Sequence, residues 1–294
     1  MLAILGPTAS GKTELAIKIA ERIGAEVLSV DSMQVYRGMD IGTAKPSLIE
    51  RRGIRHHMID VVDPESEFTV AEFRRLGRAV MDLADSPLII TGGSGLHFRA
   101  LVDPMTFAPT DPDLRLELEG SELSDLVAEL KLADPAAESH VDFANLRRVI
   151  RAVEILRLSG ETPSRRATTS EAENLRRYVA DVDFAAVGVD AGETTEARID
   201  TRLVEMRRSG MTDEVRGLQG RMGRTARGAL GYRELLSHLE GTSTEEEAYR
   251  LAATGTKKLA RKQRTWFRRD PRIRWIPWTE DIEQRTDRAL EALI

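Results

Sequence analysis

Gly6-Pro7-Thr8-Ala9-Ser10-Gly11-Lys12-Thr13 follows the pattern G-x-x-x-x-G-K-[ST]. Glycines at both ends let backbone N–H groups turn inward onto a phosphate, and a helix starting after the loop adds positive potential. Lys12 offers a point charge to the outer phosphate, and the Thr13 hydroxyl is a ligand of the right kind for Mg²⁺. The loop implies a diphosphate without naming it. ATP is the usual occupant, so nucleotide binding and phosphoryl transfer stand as one reading. Asp31-Ser32-Met33-Gln34-Val35-Tyr36 follows an apolar run. An aspartate at a strand end can hold Mg²⁺ through water, act as a general base, or cap the next helix, and position alone leaves all three open. Arg198 and Arg202 are one helical turn apart. Either could reach the diphosphate, and ion pairing or exposure is the plainer alternative. His56 and His57 have no third ligand at metal-site spacing, so packing or hydrogen bonding is expected of them.

The elements that must carry these residues alternate. Leu2–Leu5 reads as a strand running into the loop, and Thr13–Ile23 reads as a helix with Leu15, Ile19 and Ile23 on one face. Val27–Val30, Met58–Val62 and Leu88–Thr91 read as further strands, and Thr69–Leu83 as a helix. Such alternation predicts an α/β fold, a P-loop parallel sheet with helices on both faces. From Asp111 to Leu158 the signals are helical only. A helix is expected to start at Asp134-Pro135, and another to run over Asn145–Leu158. Arg165–Asn174 reads as a loop or hinge. Ala185–Val189 returns as a strand, with helices to the C-terminus. The expected organisation is a core in two parts, residues 1–110 and 181–294, around an α-helical insertion domain at 111–180.

The chain has 294 residues, 41% hydrophobic and 31% charged, enough apolar material for a large core. It has no cysteine, which excludes disulfides, cysteine-ligated zinc and thiol catalysis, and which fits the cytoplasm. No apolar run is long enough to span a membrane. The apolar start, Met1–Leu5, lacks the basic flank and cleavage site of a signal peptide. The net charge is −5, yet nine of the 18 residues from Lys257 to Arg274 are Lys or Arg. Arg147, Arg148, Arg151 and Arg157 form a second basic cluster. Local patches of this kind can hold nucleic-acid phosphates although the whole chain is acidic. The opposing reading is solvated helix faces with ordinary salt bridges. Of the adjacent Trp266 and Phe267, one is expected in the core.

An ordered series of segments resembles the tRNA dimethylallyltransferase (tRNA isopentenyltransferase) family. It comprises the Gly6–Thr13 loop, Asp31–Tyr36, Gly42-Thr43-Ala44-Lys45-Pro46, His56-His57-Met58-Ile59-Asp60 and Thr91-Gly92-Gly93-Ser94-Gly95-Leu96. It continues with Asn145-x-x-Arg148-x-x-Arg151-Ala152-x-Glu154, Gly231-Tyr232-Arg233-Glu234 and Leu259–Arg268, almost the full chain. The resemblance implies a P-loop core with a helical insertion that closes on the tRNA anticodon arm. It implies that Gly6, Pro7, Thr8, Ala9, Ser10, Gly11, Lys12, Thr13 and Arg202 hold dimethylallyl diphosphate with Mg²⁺, Thr13 being the metal ligand. The acceptor implied is N6 of adenine 37, beside the anticodon. Asp31, Lys12 and Thr8 are the implied catalytic residues, with Asp31 the general base. Asp31, Ser32, Met33, Gln34, Ser94, His97, Arg147, Arg148, Val149, Ile150 and Arg151 are the implied tRNA contacts. The basic C-terminal face would hold tRNA phosphates. A monomer is expected.

The chain departs from the family pattern in places. His97 stands where Tyr is usual, and Ser94 replaces the commoner Thr. Lys257-Lys258 stands where an Arg-bearing turn is commoner, and Val102–Pro112 diverges. Three competing readings share parts of the pattern. A small-molecule P-loop kinase shares the loop and the strand-end aspartate, but usually has a shorter, arginine-rich lid. An adenylate isopentenyltransferase shares the allyl chemistry but has no need of the insertion. An NTP-dependent RNA-binding switch predicts RNA affinity without turnover.

Overall fold

The structure is a computed structural model and describes residues 1–293. β1 (Leu2–Leu5) leads through the phosphate loop into α1 (Lys12–Ile23), followed by β2 (Glu26–Ser29) and the short β3 (His56–His57). α2 (Val70–Leu83), β4 (Leu88–Gly92) and α3 (Gly95–Val102) complete this stretch. α2 starts where the sequence can cap it. The Thr69 hydroxyl accepts from the Glu72 N–H, and the Glu72 carboxylate accepts from the Thr69 N–H, so two orphan donors are satisfied together.

Residues 103–181 form a unit of their own, containing α4 (Pro112–Glu119), α5 (Leu123–Ala133), α6 (Leu146–Ser159), α7 (Pro163–Ala167) and α8 (Ser170–Arg176). Its core gathers Leu118, Leu126, Leu130, Val149, Ile150 and Val153. Asn145 caps α6 through the Arg148 N–H. Glu154 is fully buried and accepts from Arg115, Arg151 and the Asp111 N–H. The chain then returns through β5 (Ala185–Gly188), α9 (Thr195–Arg208), α10 (Met211–Leu218), α11 (Arg224–Arg227), α12 (Tyr232–Leu239), the long α13 (Glu245–Arg268), β6 (Ile273–Trp275) and α14 (Ile282–Leu293).

The six strands form one sheet in the order β3-β2-β4-β1-β5-β6, every neighbouring pair parallel. The fold is α/β with a parallel P-loop sheet. Ala3, Leu5, Leu28 and Ile90 face one apolar layer with Phe73, Phe98, Tyr232 and Phe267. Ile4, Val27, Ile89 and Val187 face another, with Leu15 and Ile19 of α1 and Ala289 and Leu293 of α14. Both faces are therefore covered, as a parallel sheet requires. The phosphate loop, Asp31 and the Gly92–Gly95 turn all leave carboxyl ends of strands, where ligands of such sheets bind.

Five expectations need correction. Met58–Val62 is not a strand. Met58 and Asp60 have φ of 62° and 56°, which breaks an extended run, and the paired strand is His56–His57. Asp134 ends α5 rather than starting a helix. Its carboxylate accepts from Ala136 N–H, Ser164 N–H and Ser164 O–H, and only a single 3₁₀ turn follows. Arg165–Asn174 is covered by α7 and α8, capped by Thr162 and Thr169. β6 interrupts the C-terminal helices; three residues are too few to show a period. The helical unit begins at Asp103 and ends at Asp181, where 111 and 180 were expected.

Candidate active site

The phosphate loop is shaped from behind by side chains from distant parts of the chain. Ala9 and Gly11 adopt left-handed φ values of 61° and 81°. The carbonyls of the loop are drawn to donors. Arg198 Nε donates to Ala9 O at 2.8 Å, Trp278 Nε1 to Ser10 O at 3.1 Å, and Lys12 Nζ to Pro7 O at 3.1 Å. Each carbonyl so held keeps its negative end engaged. The Thr8 N–H donates to Gln263 Oε1 at 2.9 Å, so that amide serves the scaffold, and Arg202 Nη1 reaches the Thr8 hydroxyl at 3.4 Å. The Ser10 hydroxyl is buried with no partner among the described residues.

The charges here are perturbed in a way that suits an anion. Burial pushes the Lys12 ammonium down to about 8, Arg202 pushes it the same way, and Asp31 opposes them. Burial also holds the Arg202 guanidinium below its ordinary value, with Arg198 adding to the effect. Two desolvated cations gain from a multiply charged anion beside them.

Asp31 follows β2 and lines the same cleft. Its Oδ1 accepts from Met33 N–H at 2.8 Å and Gln34 N–H at 3.3 Å, which fixes the turn. Oδ2 has no hydrogen bond among the described residues. Ser32 and Met33 line the cleft. Gln34 lines it too, but its amide is engaged with the wall: Oε1 accepts from Ser29 Oγ, and Nε2 lies 3.3 Å from Thr43 O.

The remaining motifs of this unit form the walls. Lys45 Nζ is buried and donates to Asp40, Asp60 and Tyr36 O. Glu214 accepts from the N–H groups of Asp40, Ile41 and Gly42 and from the Tyr232 hydroxyl. These bonds join Gly42–Pro46, Asp60 and Gly231–Glu234 into one rim. Gly95 lets the Trp266 indole approach; a Cβ there would stand 2.0 Å from the ring. Gln263 and Trp266 of α13 therefore knit the Gly92–Leu96 turn to the phosphate loop. Gln263 was missed as a site residue because its role depends on a partner 255 positions away. The cleft has a volume of about 1770 Å³.

The other expected contacts divide. Ser94 lines the cleft, but His97 does not. The His97 ring is buried edge-on against Phe73, its Nδ1 is 2.7 Å from Ser94 Oγ, and burial pushes it down to about 4, so it is neutral and acts behind Ser94. In the helical unit, Arg147 and Arg148 are exposed at the start of α6. Val149 and Ile150 are 0% and 4% exposed and belong to that unit's core, so they have no surface to offer tRNA. Arg151 is committed to Glu154 and to the carbonyls of Ala108 and Pro109. Arg157 pairs with Glu117 and Glu129.

The basic stretch of α13 separates by helical face. Lys257, Arg261, Arg264 and Arg268 pair with Asp200, Glu196 and Asp190. Lys258, Lys262 and Arg269 are exposed, with no ion pair among the described residues. Trp266 shares their face at 43% exposure, whereas Phe267 is in the core at 1%. His56 Nδ1 donates to Ile54 O, and His57 Nε2 bonds Glu26.

Among the described residues, no three His, Asp or Glu side chains gather as a metal site. Magnesium fits another way. Thr13, in the first turn of α1, lines the cleft, and Mg²⁺ commonly takes one or two protein oxygens with substrate phosphates and water. No helix among the described residues is long and apolar enough to cross a membrane.

Comparisons with known proteins agree on one family. A family model described as IPP transferase matches residues 34–270. The tRNA dimethylallyltransferase of Bifidobacterium longum is 42% identical over 289 residues, covering 94% of this chain and 86% of that one. That of Streptomyces avermitilis is 43% identical over 288 residues, with 94% and 89% covered. The crystal structure of a tRNA isopentenylpyrophosphate transferase from Bacillus halodurans aligns with a TM-score of 0.70 at 32% identity, over 99% of this chain and 96% of that one. A eukaryotic dimethylallyltransferase captured crystallographically acting on tRNA aligns with a TM-score of 0.81 at 25% identity, over 99% and 76%.

Proposed function

The chain belongs to the IPP transferase family, and on that premise we propose that it moves a dimethylallyl group from dimethylallyl diphosphate to N6 of adenine 37 in tRNA. The observation that carries this reading is the convergence, in one cleft, of a cation-lined phosphate loop and the Asp31 carboxylate. A kinase shares the loop. The helical unit and the exposed cations of α13 favour a nucleic-acid acceptor over a small one.

The loop N–H groups, Lys12 and Arg202 bind the diphosphate. Magnesium, when bound at the Thr13 hydroxyl, supplies charge neutralisation on the phosphate oxygens. The N6 lone pair of the flipped adenine attacks C1 of the allyl group, the C1–O bond breaks, and its electrons leave with the diphosphate. Lys12 and Arg202 stabilise the charge that develops there. Asp31 Oδ2 accepts a hydrogen bond from N6–H and takes that proton as the N–C bond forms. Oδ1, held by two backbone N–H groups, keeps the carboxylate aimed.

Extruding the base costs a few kcal/mol, less in a single-stranded loop than in a duplex. Ser32, Met33 and Ser94 are the cleft residues proposed to receive it. Arg147 and Arg148 with Lys258, Lys262 and Arg269 are proposed to hold backbone phosphates, and Trp266 offers a stacking face. Val149, Ile150 and His97 drop out as direct contacts because they are buried.

The test is transfer of labelled dimethylallyl groups to unmodified tRNA with adenines at 36, 37 and 38, beside free AMP and an ATP-only reaction. Label in tRNA, lost with Lys12→Ala, is the expected result. Label in AMP alone would move the assignment to the free-nucleotide enzyme. ATP turnover without allyl transfer would restore the kinase.

A further inference from the structure

Arg285 on α14 is outside the cleft lining and 2% exposed, yet its guanidinium lies against the back of the phosphate loop. A Cβ built on Gly11 would stand 2.3 Å from Arg285 Nη1. Gly11 is thus required twice, by its left-handed φ and by this contact. The guanidinium shares the Trp278 ring with Arg198, at 5.6 and 5.2 Å from the ring centroid. Its ion-pair partner is Glu14, 3.2 Å from Nη2, and the Glu14 side chain is 54% exposed. Nε and Nη1 are buried with no hydrogen-bond partner among the described residues.

A buried cation with unmade hydrogen bonds is costly, and a half-exposed carboxylate offsets only part of that cost. An apolar side chain of similar length would fill the same space between α14 and α1 without the penalty. What the arginine adds is fixed positive charge behind a loop whose front face receives a multiply charged anion. In a medium of low dielectric such a charge acts on the anion without touching it.

We propose that Arg285 is an electrostatic positioning residue for the diphosphate: it raises the potential of the phosphate loop from behind, and Glu14 tempers it. The proposal rests on the reading of this loop as a diphosphate site. It makes the C-terminal helix part of the anion site, although that helix contributes no lining residue.

The test titrates the full chain with inorganic pyrophosphate and, separately, inorganic phosphate by calorimetry, with circular dichroism to verify folding. Arg285→Met is expected to weaken pyrophosphate roughly three- to tenfold and phosphate distinctly less, because a potential acts in proportion to ligand charge. Arg285→Lys is expected to keep most of the affinity, and Glu14→Gln to tighten pyrophosphate. Arg285→Gln carries the same test if the methionine variant does not fold. Unchanged pyrophosphate affinity in the neutral variant overturns the proposal. So does equal loss for both anions, or a lysine variant as weak as the neutral one, since either marks packing alone. Allyl transfer to tRNA is assayed separately. Its absence from the wild type would remove the transferase reading and leave the Arg285 result standing.

Discussion

Replacing Lys12 by methionine is expected to inactivate the protein and make it more stable. The Lys12 ammonium has an ordinary value of 10.5 and is pushed down to about 8, with burial the largest cause. Each tenfold change in a proton equilibrium is worth about 1.4 kcal/mol, so holding the charged form in the fold costs roughly 3 kcal/mol. Methionine removes that cost and also the hydrogen bond to Pro7 O, worth about 1 kcal/mol. The variant should therefore gain about 2 kcal/mol at pH 7. The sign of the pH dependence follows from the folded value lying below the unfolded one. The penalty is complete below about pH 8, shrinks as Lys12 loses its proton in the fold, and vanishes above 10.5, where both states are neutral. Urea denaturation of both proteins at pH 7 and pH 10 measures the difference. Pyrophosphate should stabilise the wild type and not the variant, because ligand binding to the native state alone adds to its stability. A variant less stable than the wild type at pH 7, or an advantage that does not change with pH, would refute the reasoning.

Asp31→Asn should reduce turnover about 10² to 10⁴-fold while tRNA affinity is retained, since it keeps the turn and loses the base; single-turnover transfer and a filter-binding titration separate the two effects. Lys262→Ala should weaken tRNA binding and lower the salt slope by about one, whereas Arg261→Ala, which only breaks the pair with Glu196, should leave the slope near that of the wild type. Glu154→Ala leaves Arg115 and Arg151 without their buried carboxylate; with both arginines about one-third exposed, the helical unit should lose about 2–3 kcal/mol by chemical denaturation, with transfer falling in proportion to the unfolded fraction.

Local chemistry was written plainly in the chain. The phosphate loop is contiguous, because a helix N-terminus and its glycines need only eight neighbouring residues to make an anion site. The helices over Thr69–Leu83 and Asn145–Leu158 were legible from the spacing of their apolar residues, because an amphipathic face repeats over one or two turns. The ordered motifs announced the family, and Asp31 was visible at its strand end.

What the sequence withheld was set by partners far away in the chain. The left-handed conformations of Met58 and Asp60 broke an apolar run that read as a strand, and β6 was too short to show alternation. In α6, Arg147 and Arg148 look the same in sequence as Arg151, but only the fold brings up the Ala108 and Pro109 carbonyls that, with Glu154 one turn on, take Arg151 away from the surface. The nine basic residues between Lys257 and Arg274 are equivalent on paper; acidic residues on α9 and after β5 claim four of them and leave Lys258, Lys262 and Arg269 to solvent. Gln263, Trp278 and Arg285 gain their roles only because α13 and α14 pack on the phosphate loop. Local sequence determines which residues can bind a phosphate, whereas burial and counter-charge decide how strongly each group holds its proton and which cations stay free, and those depend largely on neighbours that only folding brings together.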